Sequence, residues 1–142
     1  MIKEENQTEI LNRMKKEIIY TKDAPEPIGP YNQGVKIGRK LYVSGQIPLI
    51  PGKMELVNND LEKETIQVMK NIEAILLKAN MTFDNVIKTT IFLSDMSNFE
   101  KINKVYGRYF NPKEAPARET VEVRNLPKYV RLEISVVACE ID

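Results

Sequence analysis

The stretch Val130-Arg131-Leu132-Glu133-Ile134-Ser135-Val136-Val137-Ala138-Cys139 decides how this chain is read. Successive side chains of a strand point to opposite faces of its sheet. Val130, Leu132, Ile134, Val136 and Ala138 therefore share one face, and Arg131, Glu133, Ser135, Val137 and Cys139 share the other. The first face is uniformly apolar and belongs against a core. The second carries a carboxylate and a hydroxyl, as expected of a sheet whose other side is left open by its helices.

Immediately upstream, Ala115-Pro116-Ala117 stiffens the approach to a second alternating strand, Arg118-Glu119-Thr120-Val121-Glu122-Val123. An antiparallel pairing with Val123 opposite Val130 would bring the apolar sides together under the helices. Thr120 would then face Glu133, with Arg118 diagonal to it at roughly 7–8 Å, within side-chain reach. The expectation is an arginine, a hydroxyl and a carboxylate together on the open face. A one-residue slip would send Glu133 into the core, which is costly.

The remaining elements follow from periodicity and punctuation. Ile18 to Tyr20 enters a first strand. Ala24-Pro25-Glu26-Pro27-Ile28-Gly29-Pro30-Tyr31 is irregular, because its three prolines remove donors and fix the backbone. Val35-Lys36-Ile37 and Leu41-Tyr42-Val43-Ser44 bracket Gly38-Arg39-Lys40 as a tight hairpin. From Leu61, apolar residues at 61, 65/66, 68/69, 72, 75/76 and 79 mark a helix, capped by Asn59 or Asp60 and ended by Asn80. Val86 to Leu93 is a strand. Ser97 and Glu100 read as a capping box for a second helix with the stripe Phe99, Ile102, Val105/Tyr106 and Tyr109/Phe110, closed by Asn111-Pro112. Residues 1–15 form an N-terminal extension that could be helical, and 16–142 form one domain. The order predicts an α+β fold, one sheet with two helices on one face.

The composition narrows the chemistry. The 142 residues include no histidine and one cysteine, Cys139, and carry a formal net charge of +1. No histidine base, histidine metal ligand or cysteine-rich metal site can be built from such a chain. The near-neutral charge and the absence of long Lys/Arg runs remove the usual footprint of a nucleic-acid binder. One cysteine suits a reducing compartment, and no apolar run approaches the roughly 20 residues a bilayer span needs. The expectation is a soluble cytoplasmic protein.

Arg118 is the first candidate for function. A guanidinium at a strand entrance is a preorganised fork for a carboxylate or phosphate; on residues alone, a structural ion pair with Glu133 or Glu122 is the commoner arrangement. Partial burial of Glu133 would raise its pKa toward that of a useful proton acceptor. Ser44 has no His or Lys in motif spacing, so nucleophilic serine chemistry is not expected. Asn103 falls on the polar side of its helix. Gly29, Gly38, Gly45 and Gly52 do not open a helix as a phosphate-cradling loop does.

Several segments together resemble the RidA (YjgF-type) family of reactive intermediate deaminases. They are Ile28-Gly29-Pro30-Tyr31, Val43-Ser44-Gly45-Gln46-Ile47-Pro48, Val86-Ile87-Lys88-Thr89-Thr90-Ile91-Phe92-Leu93, Pro116-Ala117-Arg118, Thr120-Val121-Glu122-Val123 and Leu126-Pro127, in the family's order from about residue 16 onward. The resemblance implies a chorismate-mutase-like α+β domain with a mostly antiparallel mixed sheet. It implies a homotrimer with sites at subunit interfaces and no cofactor or metal. It implies a 2-iminobutanoate/2-iminopropanoate deaminase, which hydrolyses enamine/imine intermediates to 2-keto acids and ammonia.

By position, Arg118 matches the carboxylate-binding arginine and Glu133 the acidic residue near the reacting water. Tyr31, Ser44, Gly45, Asn103 and Thr120 match pocket-lining positions. Thr120 stands where many members have cysteine, Glu119 replaces the more usual serine, and Arg124-Asn125 replaces an Ala-Arg pair. Two other function classes remain open: an endoribonuclease or translation inhibitor, which some relatives' labels suggest, and a keto-acid-binding regulatory trimer without turnover.

Overall fold

Two buried side-chain amides hold the irregular parts of this molecule in place. Gln33 is 2% exposed. Its Oε1 accepts from Thr21 N at 2.8 Å, and its Nε2 donates to the carbonyls of Thr21, Ala24 and Pro25 at 3.0, 3.2 and 2.9 Å. It thereby supplies the proline-rich segment with the hydrogen bonds that no sheet provides. Asn71 does the same for residues 47–49, donating to the carbonyls of Ile47 and Leu49 at 3.1 and 2.9 Å.

The computed structural model describes residues 6–142. The expected extension over 1–15 lies outside the described residues as far as residue 5. Its visible part is a short helix, α1 (Gln7–Arg13), followed by Met14; Ile10, Leu11 and Met14 are all exposed.

Six strands form one sheet: β1 (Glu17–Ile19), β2 (Gly34–Ile37), β3 (Lys40–Gln46), β4 (Val86–Leu93), β5 (Ala117–Glu122) and β6 (Leu132–Cys139). Their spatial order is β1-β2-β3-β6-β4-β5. Every neighbouring pair is antiparallel except β4 and β5, which run parallel. The β2–β3 hairpin turns on Gly38-Arg39, between the paired residues Ile37 and Lys40. Gly38 has φ +59°, as the first central residue of a type II′ turn requires.

Helices α2 (Leu61–Lys78) and α3 (Phe99–Tyr106) cover one face of the sheet. Asp60 caps α2 by accepting from Lys63 N at 3.0 Å, and Asn80 takes φ +58° just beyond its end. The buried stripe Leu61, Thr65, Val68, Met69, Ile72, Ile75 and Leu76 packs against Leu41, Val43, Leu132, Ile134, Val136 and Ala138. The architecture is the α+β fold expected from the order of elements. Among the described residues no helix is long and apolar enough to cross a membrane.

Two expectations are corrected. The strands containing Arg118 and Glu133 do not pair. β5 pairs β4 in parallel, with Arg118 opposite Thr89 and Thr120 opposite Ile91. β6 lies between β3 and β4, with Glu133 opposite Phe92. The reason lies in burial. One face of β6 is wholly buried and the other half-buried, which suits the sheet's interior. The exposed pattern of β5 suits an edge, and the connection through α3 returns it parallel to β4. Val121 is consequently 40% exposed rather than covered by helices.

The Ser97–Glu100 capping box does not form either. Asp95 accepts from Ser97 N at 2.9 Å and starts a short 3-10 turn over Met96–Asn98, from which α3 continues without a side-chain cap.

Candidate functional site

Row by row across the sheet, side chains directly opposite one another share a face. Arg118, Thr89 and Val136 form one such row; Val121, Phe92 and Glu133 form another. Thr89 and Val136 are buried under the helices. Arg118 and Thr120 therefore belong to the helix side, and Glu133 points out of the opposite, open face. The seven candidate positions fall into two groups that do not meet within one chain.

The first group surrounds Arg118. Its Nη1 donates to Asn103 Oδ1 at 2.7 Å, and its guanidinium carbon lies 5.7 Å from the Phe99 ring centroid and 5.0 Å from that of Tyr106. Tyr106 is anchored by donating to Thr89 Oγ1 at 3.1 Å. Burial pushes the Tyr106 phenol up, opposed by the Thr89 hydrogen bond and the Arg118 charge. One neutral amide and two ring faces orient the arginine without neutralising it. The remaining guanidinium N–H groups stay available to an anion.

Beside Arg118 opens a cavity of about 550 Å³ lined also by Met96, Ser97, Phe99, Glu100 and Thr120. The Thr120 hydroxyl is buried at its edge with no hydrogen-bond partner. Glu119 faces the other way and pairs with Lys88 at 2.9 Å, so its charge does not compete for Arg118.

The second group surrounds Glu133. Strand β3 bulges between Val43 and Gln46, so Ser44 and Gly45 together stand opposite the single residue Ser135 of β6. Bulges of this kind re-aim side chains and often border sites. Ser44 N donates to Gln33 O at 2.9 Å, and its hydroxyl donates to Asn32 O. The Glu133 carboxylate lies directly over Gly45. A β-carbon there would come within 2.0 Å of Oε1 and 2.7 Å of Cδ. Burial raises the Glu133 pKa above the ordinary glutamate value.

A cavity of about 300 Å³ joins Glu133 and Gly45 to Tyr31, Ser44, Ile28 and Pro127. The Tyr31 hydroxyl accepts from Ile28 N at 3.2 Å, which folds the Gly29-Pro30 corner over this cavity.

Phe99 and Tyr106, read from the sequence as core residues, also hold Arg118. The signal was present in the spacing. The expectation that Asn103 falls on the polar side of its helix is corrected: Phe99, Asn103 and Tyr106 lie four and three residues apart, about 40° and 60° around the helix, and so form one stripe, against which Arg118 rests.

Comparison with known proteins accords with this geometry. The family model described as Endoribonuclease L-PSP matches residues 21–140. A RutC family protein of Saccharolobus solfataricus is 50% identical over 123 residues, which cover 87% of this chain and 97% of that protein. YyfA of Yersinia pestis, a Rid-family protein, superposes with a TM-score of 0.85 at 48% identity, covering 89% of this chain and all of that one (100%). TdcF of E. coli, solved with bound serine, superposes with a TM-score of 0.82 at 38% identity, covering 88% and 99% of the two chains. The fold, the order of the motifs and these likenesses lead to one conclusion: the chain belongs to the Endoribonuclease L-PSP family, the group of YjgF, RidA and RutC proteins.

Proposed function

We propose that this protein is a deaminase that hydrolyses 2-imino acids, and the enamines in equilibrium with them, to 2-keto acids and ammonia. The observation that carries the reading is the pair of complementary half-sites. One is a carboxylate fork at Arg118, held by Asn103, Phe99 and Tyr106. The other is a half-buried carboxylate of raised pKa at Glu133. A small 2-imino acid needs both an anchor for its carboxylate and a proton carrier near its C2 atom.

Because the halves occupy opposite faces of the sheet, the site assembles between copies, as in a homotrimer. Arg118 of one copy binds the substrate carboxylate in a charge-assisted fork. The Thr120 N–H of that copy and the Gly45 N–H of its neighbour add donors. Glu133 of the neighbour takes a proton from water as its oxygen adds to C2, giving a carbinolamine. That proton then passes from Glu133 to nitrogen; the C2–N bond breaks as the carbinolamine hydroxyl gives its own proton to Glu133, so that ammonia leaves and the ketone remains. Tyr31 and Ser44 shape the pocket on the Glu133 side. An imine carbon is already electrophilic, so neither histidine, thiol nor cofactor is required of this chain.

The test is a coupled assay in which a dehydratase generates the imine, with wild type and Arg118→Ala compared. Loss of the fork should lower the rate by a factor of about ten to several hundred. Wild-type turnover in Arg118→Ala would refute the assignment. RNA cleavage unaffected by Arg118→Ala, with no deaminase activity in wild type, would favour the nuclease suggested by the family's description. Keto-acid binding without turnover would favour a regulatory trimer.

A further inference from the structure

Glu100 is the one ionisable side chain among those lining the Arg118 cavity that imine hydrolysis does not use. It lines that cavity together with Phe99, Arg118 and Thr120. It precedes Asn103 by one helical turn, about 5–6 Å between β-carbons on the same face of α3, and Asn103 is the residue that holds Arg118. Its carboxylate is not spent on capping, because Asp95 rather than a Ser97–Glu100 box starts this segment. Among the described residues no cation comes within ion-pairing distance of it.

Charge accounting then points to the ligand. Resting on the deaminase reading, the assembled site holds Arg118, Glu100 and a second copy's Glu133, one cation against two carboxylates. A substrate carboxylate engages Arg118 and leaves Glu100 facing the substrate's side chain with no counter-ion. An apolar side chain would have to lie against this unpaired carboxylate as binding excludes water. A side chain ending in a cation would offset it.

We infer that Glu100 selects 2-imino acids whose side chain carries a second, cationic group. The carboxylate sits on Arg118 and the distal cation against Glu100. The bond-breaking chemistry is unchanged: water adds to C2, the C2–N bond breaks, and ammonia leaves. Only side-chain recognition is added.

The alternative role of Glu100 is purely local, an acidic residue in the first turn of α3 complementing the helix dipole. Two ligand pairs separate the roles. Turnover is compared for imines generated by an amino-acid oxidase, with oxygen as oxidant, from arginine and from norleucine. Affinity is compared by calorimetry for the corresponding keto acids, 2-oxo-5-guanidinovalerate and 2-oxohexanoate.

Wild type should prefer the guanidino member of each pair. Glu100→Gln should reduce that preference by about three- to tenfold, the range expected of a partly exposed ion pair, and Glu100→Lys should reverse it. A preference that is absent in wild type, or that stays within twofold in Glu100→Gln, would overturn the inference even where alanine-derived imine is hydrolysed normally. A Glu100-dependent preference in keto-acid affinity without hydrolysis of any imine would uphold it while refuting the deaminase reading. Thermal stability that falls in Glu100→Gln with no change in preference would assign Glu100 to the helix dipole alone.

Discussion

Arg118 and Glu133 stand on opposite faces of the same sheet, Arg118 in a row with Thr89 and Val136, Glu133 in a row with Phe92 and Val121. Sheet pleating alone separates them, so rotamer changes within one chain cannot bring both onto one small ligand. If both act on one substrate, two copies must supply them.

Complementation between impaired variants tests this directly. Arg118→Ala and Glu133→Ala, each alone, should lose about nine-tenths of the activity or more. After dissociation and equal mixing, about a quarter of the interfaces combine an intact Arg118 with an intact Glu133, so about a quarter of wild-type activity should return. A site contained within one chain would recover nothing. Light scattering that reports an active monomer would exclude the shared site.

Gly45→Ala should abolish most turnover while leaving the fold intact. The added methyl collides with the Glu133 carboxylate, the free end of a flexible side chain, so the carboxylate moves rather than the backbone. The backbone at Gly45 lies outside the left-handed region, and no conformational strain is added. Keto-acid affinity should change less than turnover, because Arg118 lies on the other half-site. Full activity in a well-folded Gly45→Ala would show that the position of Glu133 is immaterial.

The raised pKa of Glu133 sets two pH dependences. In the unfolded chain a glutamate titrates near about 4.3, whereas burial holds the folded value higher. Between the two the folded state binds more protons than the unfolded state. This group's contribution is therefore fully favourable below the unfolded pKa and is lost as pH rises through the folded one. Glu133→Gln should accordingly gain melting temperature relative to wild type at neutral pH, and the gain should vanish in acid. Activity runs the other way, since only the carboxylate accepts a proton. The acidic limb of the wild-type kcat/KM profile should be absent from the residual activity of Glu133→Gln.

Gln33→Leu should destabilise the protein by about 2–3 kcal/mol, because Thr21 N and the carbonyls it served are left to find other partners. Chemical denaturation reads the loss. Tyr31, two residues away, should lose its fixed place over the Glu133 cavity, so KM should rise in the same variant. An unchanged denaturation midpoint would mean that the proline-rich segment holds itself.

Local physics was legible in the amino-acid order. The hairpin at Gly38-Arg39, the cap at Asp60, the left-handed Asn80 and the strand Val86–Leu93 all follow from propensity and periodicity, which need no knowledge of distant residues. From Leu132 onward the alternation of the last strand likewise determined which residues meet the core; ahead of the strand the expectation fails, since Val130 packs with Ile47, Leu49 and Leu126 and Arg131 pairs with Glu64 of α2. What it could not determine was the strand's neighbours. Alternation specifies faces, not partners, and β6 could pair with β5 as sensibly as with β3 and β4 until the whole sheet had to be buried at once. That choice moved Arg118 from the open face to the helix side. It placed Asn103, Phe99 and Tyr106 around the arginine, and it left Glu133 over Gly45 at a bulge that no local signal marked. The residue types of the candidate site were written in the sequence; their division into two half-sites is a property of tertiary packing.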